Sequence, residues 1–204
     1  MIGIINYGIG NIYSIYTSIK KSFGIPFIVD KPENLKMAKF IILPGVGAFD
    51  DGIRNLTKTG IADAIKEEIK KGKYFLGICL GLQLLFSESE EGKNKGLNII
   101  KGKVNKFLFK KDKLNIPHMG WNRVEIIKKN SRFFNGIPQN SYFYFAHSYY
   151  VSPEDKSKII GITKYGINFP SVIEYNNVIG VQFHPEKSGE FGLIFLKNFL
   201  KNGN

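Results

Sequence analysis

One side chain in this sequence stands out as a strong nucleophile: the thiol of Cys79, the sole cysteine among 204 residues. It lies in Gly77-Ile-Cys-Leu-Gly81, with glycines two residues to either side. Gly-x-Cys-x-Gly between an apolar run and a helical pattern is the thiol counterpart of a nucleophile elbow. Such a strand-to-helix turn presents the reactive atom at the C-terminal end of a strand. Its glycines let the two backbones pass close to each other. A helix N-terminus beside the sulfur would favour thiolate over thiol. A cysteine in an apolar run is otherwise a small buried hydrophobe, and the local sequence leaves both readings open. A thiol nucleophile needs a base, and the base needs a group to orient it. Three histidines are available. His118, in Ile116-Pro-His-Met-Gly-Trp121, and His147, in Phe143-Tyr-Phe-Ala-His-Ser-Tyr149, have no acidic residue beside them. His184, in Gly180-Val-Gln-Phe-His-Pro-Glu186, has Glu186 two residues on. In extended backbone those two side chains point the same way, and Pro185 biases His184 toward extended geometry. A carboxylate on one imidazole nitrogen sets the tautomer and leaves the other nitrogen for a thiol.

The elements that must position these groups follow from periodicity. Met1 to Asn6 is an apolar strand, followed by the glycine turn Tyr7-Gly-Ile-Gly-Asn11. Ile12, Ile15, Tyr16 and Ile19 then mark one face of a helix. The turn has no third glycine in register and no Gly-Lys-Ser/Thr after it, so both nucleotide fingerprints fail. Pro26 to Asp30 and Phe40 to Leu43 read as strands. The second runs into Pro44-Gly-Val-Gly-Ala-Phe-Asp50, where Asp50 or Asp51 is a candidate cap. Ile61, Ala64, Ile65 and Ile69 form a helix face, with Glu67 and Glu68 on its polar side. The strand Tyr74 to Ile78 leads to Cys79. Alternating strands and helices up to about residue 88 predict a parallel sheet with helices on both faces. After the polar loop Glu90 to Gly96 the rhythm changes. Short apolar segments at 97–100, 104–109, 123–127, 142–145, 159–163, 171–175 and 178–183 predict antiparallel or mixed strands, with Asn176-Asn177 as a hairpin turn. A helix over 189–201 closes the chain. The expectation is a single domain over residues 1–204.

Composition excludes several classes. Hydrophobic residues make up 43 % of the chain, which predicts a globular fold, and there is no apolar run long enough for a membrane helix. Met1-Ile-Gly-Ile-Ile5 lacks a basic region and reads as a first strand, not a signal peptide. One cysteine and three histidines make a poor metal set, and no cofactor is expected. The absence of an internal disulfide suits a reducing cytoplasm. The net charge of +12 comes from lysines spread along the chain, with small clusters at Lys70 to Lys73, Lys101 to Lys113 and Lys128-Lys129. No nucleic-acid motif accompanies them, and they read as a solvated surface.

Taken together, Gly77-Ile-Cys-Leu-Gly-Leu-Gln83, Pro44-Gly-Val-Gly47 and His184-Pro-Glu186 resemble the nucleophile motif, oxyanion loop and His-Pro-Glu motif of the glutamine amidotransferases of the Cys-His-Glu triad type. The resemblance covers nearly the whole chain. It is closer to one branch, which serves a (β/α)8-barrel synthase (cyclase) subunit in histidine biosynthesis. Asn6-Tyr-Gly-Ile-Gly-Asn11, His118-Met-Gly-Trp-Asn122, Tyr144-Phe-Ala-His-Ser-Tyr149 and His184-Pro-Glu-Lys-Ser-Gly189 are similar to that branch's own motifs. Asn6 is a departure, standing where the branch commonly has Asp. The resemblance implies a flavodoxin-like α/β fold with added antiparallel or mixed strands in the second half. It implies Cys79 as nucleophile toward the glutamine carboxamide, His184 as proton carrier and Glu186 as its support. It further implies oxyanion donors at the N–H groups of Val46 and Leu80, and a glutamine pocket lined by Gly47, Gln83, Ser148 and Tyr149. Asn11, Trp121, Tyr144 and Lys187 match positions on the partner face of a heterodimer through which ammonia passes. Paralogues that supply ammonia for amidino-sugar biosynthesis share these motifs. A non-catalytic module of the same fold would be expected to lose Cys79, His184 or Glu186.

Overall fold

In the computed structural model, residues 1–109, 114–128 and 131–201 are described. Lys110, Lys111, Lys113 and Lys129 of the basic clusters lie outside them. The chain begins β1 (Ile2–Ile5), α1 (Ile12–Lys21), β2 (Pro26–Val29), β3 (Phe40–Leu43), α2 (Phe49–Lys58), α3 (Ile61–Lys70), β4 (Tyr74–Ile78) and α4 (Leu80–Gln83). Then follow β5 (Glu88–Ser89), β6 (Gly102–Lys106), β7 (His118–Arg123), β8 (Glu125–Ile126), β9 (Tyr142–His147), β10 (Tyr149–Pro153), β11 (Ile159–Tyr165), β12 (Ile167–Tyr175), β13 (Val178–Val181) and α5 (Gly189–Lys201).

The main sheet has the order β2-β1-β3-β4-β13-β12-β11-β8. The strands from β2 to β13 run parallel, and β12, β11 and β8 add on antiparallel. The run of apolar residues in each parallel strand is explained by burial on both faces. Ile2, Ile4, Phe40, Ile42, Leu76 and Ile78 pack toward α1 and α5 through Ile15, Ile19, Phe195 and Phe199. Ile5, Ile41, Leu43 and Phe75 pack on the opposite side against Phe49, Ile53 and Leu56 of α2 and Ile61 and Ile65 of α3. Two small sheets complete the second half: β10-β6-β5 and the antiparallel pair β7-β9.

The α/β class, the parallel half and the closing helix agree with the sequence-based expectation. Several local readings change. Segment 97–100 is irregular, not a strand. Asp50 sits inside the first turn of α2 and caps nothing there; its carboxylate accepts the N–H groups of Lys93 and Asn94. The carboxylate that does reach the start of α2 is Glu91, which accepts from Phe49 N at 2.9 Å. Glu68 is buried rather than solvated, neutralised by Lys71 and Lys73. That is the usual condition for burying a carboxylate. No helix among the described residues is long and apolar enough to cross a membrane, and they hold no group of three or more metal-ligating side chains.

Candidate active site

Cys79 follows the last residue of β4 and has φ 53° and ψ −109°. A non-glycine residue in this region is strained, and tight packing around the turn imposes it. A Cβ on Gly77 would lie 2.8 Å from the Gly81 carbonyl oxygen, and one on Gly81 would collide with the Leu43 carbonyl. β3, β4 and the turn are therefore in backbone contact, which the paired glycines anticipated. The helix after Cys79 is a single turn, Leu80–Gln83. That is too short to bring a full helix dipole to the sulfur, and charged and polar side chains stand around it instead.

His184 provides the charge. β13 stands beside β4 in the sheet, and the chain beyond it brings His184 to the elbow. Its backbone N–H donates to Tyr144 O at 2.8 Å, and its carbonyl accepts from Ser188 Oγ at 2.6 Å. Nδ1 lies 2.8 Å from Glu186 Oε1. The route differs from the extended one expected, because Pro185–Lys187 is a 3₁₀ turn that folds Glu186 back onto the ring. Nε2 is buried and has no hydrogen-bond partner. Burial alone would lower the imidazole pKa, but the Cys79 sulfur and the Glu186 carboxylate outweigh it and raise the value to about 10.

The other two histidines meet each other. They are register partners across β7 and β9, and His118 Nδ1 is 2.9 Å from His147 Nε2. Two main-chain carbonyls settle the protons. Lys164 O accepts from Asn122 Nδ2 at 3.0 Å, and the same nitrogen donates to His118 Nε2 at 3.1 Å. His118 is therefore protonated on Nδ1 and donates to His147 Nε2. His147 then carries its proton on Nδ1 and donates to Tyr149 O at 2.8 Å. Both rings are neutral. Burial pushes His118 down to about 4 and His147 to about 3.

Cys79 opens onto a cavity of about 280 Å³ lined by Val46, Gly47, Leu80 and Gln83 on one side and by Ala146, His147, Ser148 and Tyr149 on the other. Glu91, Pro117 and Met119 complete it. All the residues expected to form an oxyanion site or a glutamine pocket are thus gathered at the sulfur. Glu91 is the one carboxylate lining the cavity, and burial raises its pKa. One detail concerns the oxyanion donors: Leu80 N donates to Gly45 O at 3.3 Å. The Gly45–Val46 peptide therefore shows its carbonyl, not its N–H, to the elbow. Tyr7 holds this loop through its hydroxyl, which donates to Pro44 O at 2.9 Å.

Asn11 caps α1 through a bond from Ser14 N. Exposed Trp121 and Lys187 form a cluster with half-buried Tyr144. The two rings are 6.1 Å apart, and Lys187 Nζ stands 5.7 Å from the Tyr144 ring centre. Sequence reasoning did not find Glu91, Met119, Ala146 or Gln182, and it set His147 aside for want of a neighbouring acid. Glu91 looked like any residue of a polar loop. Gln182 did carry a signal, since an amide between Val181 and Phe183 in an apolar run is buried and needs partners.

Comparison with known proteins agrees with this geometry. The sequence profile of the family described as glutamine amidotransferase class-I matches residues 4–202. Relatives named imidazole glycerol phosphate synthase subunit HisH include one from Caldanaerobacter subterraneus subsp. tengcongensis, 52 % identical over 98 % of this chain and 97 % of the relative. One from Methanocaldococcus jannaschii is 48 % identical over 98 % and 99 %. A solved structure described as PurLQS from Thermotoga maritima overlays with a TM-score of 0.76 at 20 % identity, covering 98 % of this chain and 97 % of that one. It shares the fold. This chain belongs to the class-I glutamine amidotransferases.

Proposed function

We infer that this chain is the glutaminase subunit of an imidazole glycerol phosphate synthase, hydrolysing glutamine and delivering ammonia for histidine biosynthesis. The observation that carries the reading is Cys79 on a strained turn, facing a small cavity, with the buried His184–Glu186 pair behind it. Near-full-length identity to relatives bearing that subunit's name supports the pathway. We read residues 1–204 as one glutamine amidotransferase domain acting in the cytoplasm.

The chemistry uses side chains already in place. Cys79 Sγ attacks the carboxamide carbon of glutamine, and its proton passes to His184. His184 returns a proton to the departing nitrogen, which leaves as ammonia, and a glutamyl thioester remains. Water attacks the thioester with His184 as base, giving glutamate and restoring the thiol. Glu186 holds the ring in the required tautomer throughout. Glu91 complements the α-ammonium of glutamine, while Gly47, Gln83, Ser148 and Tyr149 bound the pocket. Cys79→Ala is expected to lower glutamine-dependent turnover by about 10⁴-fold or more. It should leave synthesis from added ammonium salts intact in the complex. Retained glutaminase activity would overturn the nucleophile.

The tetrahedral intermediate needs two N–H donors near its oxygen. Here the Leu80 N–H is occupied by Gly45 O. Turning the Gly45–Val46 peptide over would release Leu80 and bring Val46 N–H in beside it. A missing donor costs about 10²–10³ in rate, so the isolated chain is expected to hydrolyse glutamine slowly. The Trp121–Tyr144–Lys187 surface cluster, together with Asn11, is the face we assign to a (β/α)8-barrel synthase partner, into which ammonia passes without meeting bulk water. Glutaminase kcat should rise about 10²-fold or more when that subunit and its acceptor substrate are added. Equal activity in the isolated chain would show the donor is always available.

A further inference from the structure

We propose that Gln182 is a catalytic residue of this site, an amide donor held against the Cys79 sulfur that stabilises and aims the thiolate. The Tyr149 carbonyl determines which way that amide points. This extends the reading of Cys79 as the glutaminase nucleophile and rests on it.

Gln182 is fully buried just beyond β13. Its Nε2 lies 3.6 Å from Cys79 Sγ, and its Oε1 lies 3.2 Å from Gln83 Nε2. An amide read alone could face either way. Here its direction is forced by a main-chain group that can only accept. Tyr149 O is 3.1 Å from the Gln83 amide and 2.8 Å from His147 Nδ1. Gln83 must therefore turn its NH₂ group to Tyr149 O. The second proton of that NH₂ meets Gln182, so Gln182 must answer with its oxygen. Its own NH₂ is then left for the sulfur. The same carbonyl fixes the His147 tautomer, and His118 and Asn122 extend the fixed chain to Lys164 O.

The sulfur thus sits between two unlike neighbours. As a thiol it donates toward Ala146 O at 3.8 Å. Once His184 has taken the proton, that contact has nothing left to donate, whereas the Gln182 N–H faces a full negative charge. Hydrogen bonds to ionised acceptors are roughly twice as strong as neutral ones. The Gln182 contact therefore favours the thiolate over the thiol, both before attack and when the thioester collapses and the sulfur leaves. A contact that tightens as charge develops accelerates the chemical step instead of merely binding. It also takes on work that the single-turn helix after Cys79 is too short to do.

Gln182→Met keeps length and approximate volume and removes the donor. Three results are expected. The pH profile for alkylation of Cys79 by iodoacetamide should move to higher pH by about one unit. Glutaminase kcat of the complex should fall about tenfold or more, the scale of a hydrogen bond to a charged acceptor. KM should change much less. A melting temperature lowered with the alkylation profile unmoved would overturn the proposal and leave Gln182 a packing residue. Should Gln182→Met fail to fold, the unmodified protein with ¹⁵N-labelled glutamine side chains decides. The Gln182 amide signals should shift as the Cys79 thiol is titrated and lose that response after alkylation; no response would overturn the proposal. Alkylation needs no substrate. A wild type that hydrolyses no glutamine would therefore refute the glutaminase reading without obscuring whether Gln182 touches the thiolate.

Discussion

Two buried imidazole contacts lie close together in this molecule, and they behave in opposite ways. His184 meets Glu186 at 2.8 Å, and His118 meets His147 at 2.9 Å. All three rings are 5 % exposed or less, and burial disfavours the charged form of each. Yet His184 is raised to about 10, while His147 is lowered to about 3. The partner makes the difference. A carboxylate and a sulfur compensate the imidazolium of His184; an amide, a second imidazole and a carbonyl only order the neutral forms of the other two. One contact compensates a charged ring and the other orders neutral ones. This is why a histidine with an acid two residues away pointed to chemistry, and histidines without one did not.

The sharpest way to break the contrast is to give His184 a neutral partner. Glu186→Gln preserves the shape of the contact and removes its charge, so His184 should titrate below its present value, while the Cys79 sulfur, the larger of the two raising influences, still keeps it above the neutral pair. Glutaminase kcat should fall by about 10²–10⁴, less than for Cys79→Ala, because an imidazole and a thiol remain. The titration can be followed by the ring-proton resonances of His184. An unchanged titration would mean that the sulfur alone holds the proton on the ring.

A smaller effect separates the contacts by the sign of their pH dependence. The folded-state values of His118 and His147, about 4 and about 3, lie below the roughly 6.5 of an unfolded chain. Their contribution to stability is present above about pH 6.5 and is lost as the pH falls toward 3. His184 lies above its unfolded value. Its contribution is complete below about pH 6.5 and is lost as the pH rises toward 10. Melting temperatures should decline on both flanks. His147→Gln should flatten the acid side and Glu186→Gln the alkaline side. If one substitution altered both flanks, the two contacts would be a single coupled system.

The smallest effect should come from the far end of the neutral chain. Asn122→Ala removes the donor to His118 Nε2 and should cost about 1–3 kcal/mol in denaturant unfolding. Glutaminase kcat should stay within about twofold, since the Tyr149 carbonyl still fixes His147 and Gln83. A large loss of kcat would show that the protons of the neutral chain are mobile after all.

The parallel half of the fold was readable because strands buried on both faces are apolar throughout, and the helices between them keep a clear 3.6-residue period. The elbow was readable because only glycine fits at Gly77 and Gly81. Glu68 misled, because its partners Lys71 and Lys73 come from the turn beyond the helix and not from its polar face. Asp50 and Glu91 exchanged roles for a related reason: the carboxylate at the start of α2 comes from a distant loop, and local spacing registers only nearby caps. The path from His184 to Glu186 was read as extended, yet Pro185 begins a 3₁₀ turn; proline fixes its own φ and leaves ψ open. The Gln83–Gln182–Cys79 contacts depend on side chains brought together from α4, β4 and the end of β13, and no pattern along the chain reports such a meeting.

The Gly45 carbonyl on the Leu80 N–H also has a consequence for covalent inhibitors. A reagent that captures the thiolate by displacing a halide develops no negative oxygen, and the state of that peptide should matter little to it. An aldehyde analogue of glutamine adds to the sulfur as a tetrahedral adduct whose oxygen must be accommodated. With the carbonyl in place this oxygen faces another oxygen, so the aldehyde should bind weakly to the isolated chain and tightly to the working complex. Selectivity between resting and active enzyme would then lie in the warhead geometry, with no change in the part of the inhibitor that resembles glutamine.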